Sequence, residues 1–142
     1  MGKKRGKATL TLRDVIKILR GAYDEYQALK DDIYVLTARG DKRGLKVRET
    51  KIGQLFPRIY GRIFSSDLSS IDKQTGHTIL LHTADFARRA EEAMAKPSSA
   101  SRTFLLLVML NQHSDERGEN DLKRLVDHLT AKSVAGSSPV AR

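Results

Sequence analysis

This 142-residue sequence predicts an all-α fold, a compact bundle of about five helices with a long first helix, a basic N-terminal arm and a disordered C-terminal tail. Two observations carry that prediction. Leu12, Val15, Leu19, Ala22, Tyr26, Leu29, Ile33 and Leu36 recur three and four residues apart, the rhythm of a helix packed lengthwise against other helices. Hydrophobic residues make up 39% of the chain and charged residues 30%, and mean hydropathy is −0.44. That composition belongs to a globular domain with a sizeable core, at a length that suits one domain.

The elements follow in order. Residues 1–8 hold Lys3, Lys4, Arg5 and Lys7 with two glycines and no large apolar anchor, so they read as a basic flexible arm before a single helical domain over 9–132. Thr11 with Asp14 three residues on offers a capping pair for the first helix. Leu12 to Leu36 would run roughly 37 Å at 1.5 Å per residue, and Arg39-Gly40-Asp41-Lys42-Arg43-Gly44 ends it. Leu45 to Val47 reads as a short extended piece. In Arg48–Phe64 the residues Ile52, Leu55, Phe56, Ile59, Tyr60 and Ile63 share a helical face, interrupted by Pro57, where the helix kinks or two short helices meet.

Residues 65–70 form a polar linker. Thr75–Lys96 reads as a helix with Ile79, Leu80, Ala84, Ala87, Ala90 and Met94 inside, stopped by Pro97. Ser98, Ser99 and Ser101 supply caps for Phe104–Leu110, which is apolar almost all round and so expected at the centre of the core, as a helix or as a buried strand. His113–Asn120 is a charged loop. Asp121–Lys132 is a last amphipathic helix through Leu122, Leu125, Val126 and Leu129, and 133–142 is a tail without anchors.

Charge is distributed unevenly. The first 62 residues hold 16 Lys plus Arg against 7 Asp plus Glu, whereas the remainder holds 10 of each sign, so the whole +9 lies in the first part. A field with a direction attracts polyanions and orients them. On the first helix Arg13, Lys17 and Arg20 form one stripe. Arg48, Lys51, Arg58 and Arg62 fall within about 80° of one another at the edge of an apolar face, and Arg39, Lys42, Arg43 and Lys46 occupy the turn between. Together with the arm these residues are the expected nucleic-acid contacts, arranged as one continuous basic surface. Tyr26, Phe56 and Tyr60 sit at core-facing positions, so no platform for stacking single-stranded bases is expected; backbone contact to duplex DNA or structured RNA fits better. A helix-turn-helix across Arg48–Phe64, presenting Arg58, Tyr60 and Arg62, is a weaker geometry because Pro57 interrupts it.

Catalytic and metal chemistry find little footing. There is no cysteine, which excludes disulfides and thiolate ligands. His77 and His82 are five apart and diverge by 140° on a helix, and adjacent Asp127 and His128 diverge by 100°. The His113–Asp121 segment lacks calcium-loop spacing, and no phosphate loop or nucleophile elbow occurs. No catalytic residues, metal or cofactor are therefore expected. The longest apolar run is Phe104–Leu110, far short of the roughly 20 residues that span a bilayer, and the basic start has no apolar stretch behind it as a secretory signal would. No membrane partner and a cytoplasmic location are expected.

The tail Ser133–Arg142 carries one further clue. Gly136-Ser137-Ser138-Pro139 is what GGT-TCG-AGT-CC would encode, a string that resembles the T-arm of a bacterial tRNA gene, where mobile elements integrate. The expectation is a non-catalytic nucleic-acid-binding protein, an accessory subunit of a nucleoprotein complex of a mobile genetic element. The alternative is a helical adaptor or oligomerisation module that binds a protein partner or itself through the Leu12–Leu36 seam.

Overall fold

A computed structural model describes residues 8–113 and 118–137, and side chains as far as Val134. Five helices account for most of it: α1 (Leu12–Arg39), α2 (Lys42–Phe64), α3 (Lys73–Met94), α4 (Ser99–Val108) and α5 (Asp121–Ser137). Among the described residues there is no β-strand. The arm residues 1–7 and the end of the tail at 138–142 lie outside the described residues, as does the loop segment 114–117.

Local chemistry sets the helix ends. Thr11 and Asp14 form a full capping box: the Thr11 hydroxyl accepts from Asp14 N at 3.1 Å, and the Asp14 carboxylate accepts from Thr11 N at 2.9 Å. Gly40 stops α1 in the left-handed region at φ 69°, where residues with a Cβ are strained. Asp41 then accepts from Gly44 N at 2.9 Å and starts α2 at once. Leu45–Val47 is therefore helical, because the cap lies upstream of it. Asp72, Ser98 and Asn120 cap α3, α4 and α5 in the same way. One helix continues through Pro57, so neither a pair of short helices nor a helix-turn-helix forms across Arg48–Phe64.

The α1–α2 hairpin is antiparallel, α2 packs against both α1 and α3, α5 lies along α1, and α4 covers part of α2 and α3. Tyr26, Phe56 and Phe86 join α1, α2 and α3 in one aromatic column, with centroids 6.1 and 5.8 Å apart. Gly53 lets α2 approach α3 closely, since a Cβ there would lie 2.5 Å from Met94 Cγ. The Leu12–Leu36 seam is buried or half-buried from end to end within this core. The protein's own helices thus occupy this seam.

Phe104–Leu110 departs from expectation in position. Its first part is helical in α4, but only Leu106, Met109 and Leu110 are buried, and Phe104 is 63% exposed. A short helix laid across the rim of two longer ones buries one side only. Two polar ties hold it there. Tyr26 Oη donates to the carbonyls of Leu106 (2.6 Å) and Leu107 (3.0 Å), carbonyls in the last turn of α4 that lack helical partners. Glu49 of α2, 2% exposed, accepts from Thr103 Oγ1 and pairs with Arg102 Nε at 3.5 Å.

Candidate nucleic-acid interface

The root of the arm is fixed by backbone pairing. Asp67 N donates to Ala8 O at 2.8 Å and Leu10 N to Asp67 O at 3.0 Å, a short parallel pairing between the entry to α1 and the loop after α2. Whatever course the arm takes, it departs beside the first turn of α1 and the last turn of α2. Lys3, Lys4, Arg5 and Lys7 themselves lie outside the described residues.

At that end the structure gathers five of the expected contact residues. Arg13, Lys17 and Arg20 are exposed on the side of α1 opposite its core stripe, and Arg58 and Arg62 are exposed on α2. Two grooves flank the α1 stripe. The α1–α2 groove, of ≈ 680 Å³, is lined by Lys17, Arg58 and Arg62, by the carboxylates of Asp14 and Glu25, and by Ile18, Ala22, Leu55 and Ile59. The α1–α5 groove, of ≈ 570 Å³, runs between Arg13, Lys17 and Arg20 and the facing Thr130, Ser133 and Val134. Lys17 borders both.

The local carboxylates are mostly engaged elsewhere. Asp14 caps its own helix, and those hydrogen bonds from Thr11, with Lys17 and Arg62 nearby, hold its carboxyl below the ordinary value. Arg58 meets Glu25 only loosely, at 3.8 Å. Arg20 donates to Thr130 Oγ1 at 3.1 Å, which ties the stripe to α5. Among the described residues no carboxylate lies within 4.0 Å of a nitrogen of Arg13, Lys17 or Arg62, so their charge faces solvent.

Most of the remaining expected contacts lie at the far end of the hairpin. Arg39, Lys42, Arg43 and Lys46 are exposed there, Lys51 is exposed midway along α2, and Arg48 pairs with Asp32 at 3.3 Å. Arg20 and Arg39 are about 28 Å apart along α1 at 1.5 Å per residue. Between them the outward face of α1 changes sign, because Asp24 and Asp31 continue the Arg13–Lys17–Arg20 stripe at helical spacing and are exposed. The expected continuous basic surface is therefore interrupted on α1, and the arm-root cluster itself includes Asp14, whose carboxylate caps its own helix, and Glu25 beside Arg58.

Aromatic placement is also more varied than the sequence suggests. Tyr26 and Phe56 are buried as expected, but Tyr60 is half-buried and stacks at 5.6 Å on Phe64, which is 61% exposed. That pair sits on the other flank of α2 from Arg58 and Arg62, about 120° or more around the helix, so it does not join the basic patch.

Sequence spacing missed a second polar constellation. His82, His113 and His128, apart in the chain, line one cavity with Arg89 and Asp121. Arg89 is 6% exposed, yet it occupies a core-facing position between Phe86 and Ala90 that the apolar pattern of α3 does not mark as special. His77, by contrast, is exposed, and Asp127 pairs with Lys123 rather than with His128. No group of His, Asp or Glu among the described residues is placed to hold a metal ion.

No protein-family model, curated protein or solved structure matches this chain. Its class therefore rests on the fold: an all-α helical bundle in which no described helix is long and apolar enough to cross a membrane.

Proposed function

We propose that this protein binds nucleic acid without catalysing a reaction on it, holding the phosphate backbone at the end of the bundle where the arm departs. One observation carries the reading: Arg13, Lys17 and Arg62 stand exposed and without a carboxylate partner around the arm root, beside two grooves that share Lys17. Arg20 and Arg58 extend the patch. The first turn of α1, where the helix dipole is positive and a cation is unfavourable, carries Arg13 beside the capping Asp14.

Guanidinium and ammonium groups at this spacing hold phosphates and fix orientation, but they carry no base readout. The partner is duplex DNA or structured RNA, since the exposed aromatic pair lies off the patch. The tRNA-gene-like coding of Gly136–Pro139 supports a place in a nucleoprotein complex of a mobile genetic element, as an accessory subunit in the cytoplasm.

The test is a salt titration of the full chain against duplex DNA, single-stranded DNA and folded RNA. With about six phosphates engaged, log affinity falls against log salt with a slope of about −5. A flat response, or no binding to any of the three at low salt, overturns the proposal.

A further inference from the structure

α3 and α5 make no extended packing contact, and the space between them is a cavity of ≈ 560 Å³ that opens beside the start of the α4–α5 loop. It lies across α5 from the α1–α5 groove, since His128 lines the cavity and Thr130 the groove. α3 contributes His82, Asp85 and Arg89 at spacings of three and four, one face of the helix. α5 contributes Asp121, Arg124 and His128 from its own facing side, and His113 comes from the loop.

The carboxylates here are already neutralised. Arg89 bridges Asp121 (Nη1, 2.7 Å) and Asp85 (Nη2, 2.6 Å), and Arg88 also binds Asp85. Asp121, itself 9% exposed, accepts in addition from His113 N at 3.0 Å and faces His113 Nδ1 at 3.3 Å. A carboxylate only accepts, so Nδ1 carries the proton in this pairing and Nε2 is the free ring atom. Arg124 donates one N–H to the His113 carbonyl, which leaves the rest of its guanidinium fork available.

Two arginines against two aspartates leave a lining of zero net charge, in which imidazoles are the groups still open to a ligand. Partial burial holds His82 below its ordinary value, opposed by Asp85 and reinforced by Arg89. A dianion lodged beside His82 opposes that effect and favours its protonated form. The rings do not converge on one point as metal ligands do, and the volume suits a guest of several atoms.

We propose that this cavity binds a phosphate monoester, with the His82, His113 and His128 rings around it and Arg124 gripping one edge. A free mononucleotide and a 5′-phosphorylated strand end both present that group. The site is independent of the basic patch, so either stands if the other fails.

The experiment follows the histidine ring signals by NMR while sulfate, 5′-AMP or adenosine is added to the full chain. Sulfate keeps its charge across the range, so any pH effect belongs to the protein. Saturable shifts at the three rings are expected with sulfate and AMP and none with adenosine. Sulfate affinity rises by up to about tenfold per pH unit per proton taken up as pH falls from about 7.5 to about 6. His82→Ala and His128→Ala, both at solvent-accessible positions, each weaken AMP about tenfold while circular dichroism stays native. A 5′-phosphorylated oligonucleotide that outbinds its 5′-hydroxyl form assigns the site to strand ends; equal binding of the two, with AMP bound, assigns it to free nucleotides. No saturable shift with sulfate or AMP, an equal response to adenosine, or unchanged AMP affinity in both folded variants overturns the proposal.

Discussion

Replacing Arg13, Lys17 and Arg62 together with glutamine separates affinity from stability. None of the three lies in an ion pair among the described residues, so each substitution removes a solvated charge, and such changes stay within about 0.5 kcal/mol. The dipole terms oppose each other. Arg13 sits in the first turn of α1, where a cation is unfavourable by about 0.3–1 kcal/mol, and Arg62 sits in the last turn of α2, where it is favourable by a similar amount. The net change in unfolding free energy is therefore near zero. Binding responds differently, because each lost phosphate contact removes about 0.9 from the salt slope. The slope moves from about −5 to between about −2 and −3. Between about 50 and 200 mM salt the parent loses about a thousandfold in affinity and the triple variant about fortyfold. Fluorescence anisotropy with labelled duplex or RNA reads the slope, and urea denaturation reads stability. Glutamines at Lys42, Arg43 and Lys46, in the far patch, leave the slope at its parent value. Equal slopes for the two triple variants refute the assignment of the interface to the arm-root patch. A loss of more than about 1 kcal/mol in the first variant refutes the claim that these charges face solvent.

Three further outcomes follow from the packing. Tyr26→Phe leaves the α4 carbonyls of Leu106 and Leu107 without their donor and lowers unfolding free energy by about 1–3 kcal/mol in urea melts, whereas Tyr34→Phe, at an exposed position, changes nothing measurable. Glu49→Ala costs about 2 kcal/mol and raises amide exchange in Ser99–Val108 before the rest of the core, because Thr103 and Arg102 lose their shared acceptor. Asp14 and Asp72 both have carboxyls held below the ordinary 3.8, first by hydrogen bonds from Thr11 and Thr75 respectively. Since the folded value is the lower one, the stability they confer is present above pH 3.8 and is lost as pH falls through their folded values. Urea melts therefore show the parent more stable than the double Asp14→Asn, Asp72→Asn variant near neutral pH, with the gap closing as pH falls below 3.8, and a gap that does not change with pH disproves it.

Much of this fold was legible in the chain because local rules do not depend on context. The three-and-four spacing of Leu12–Leu36 made α1 a helix, and Thr11 with Asp14 and then Gly40 marked its ends, since capping and positive φ are settled within a few residues. Leu45–Val47 was misread for a related reason: the Asp41 cap begins α2 earlier than the apolar pattern does. The amphipathic pattern also named most of the core, but it placed α4 too deep. Apolar content says that a helix has something to bury, and only the geometry of its neighbours says how much they cover.

The basic patch shows the same boundary between levels. Periodicity alone put Arg13, Lys17 and Arg20 on one stripe and Arg58 and Arg62 on one edge. Which of these patches meet was decided by the antiparallel return of α2 and by the pairing of Ala8 and Leu10 with Asp67, contacts that bring residues nearly sixty positions apart together. The same return sets Arg39–Lys46 at the opposite end. The cavity of His82, His113 and His128 lay wholly beyond the sequence, because its members come from α3, a loop and α5, and nothing in the spacing of one helix encodes which face of another it will confront. The chain by itself determined helices, caps and the sign of each surface stripe, all properties of short-range geometry. Tertiary packing alone decided which stripes share a groove and which polar groups share a cavity, because those are distances between segments that no local period contains.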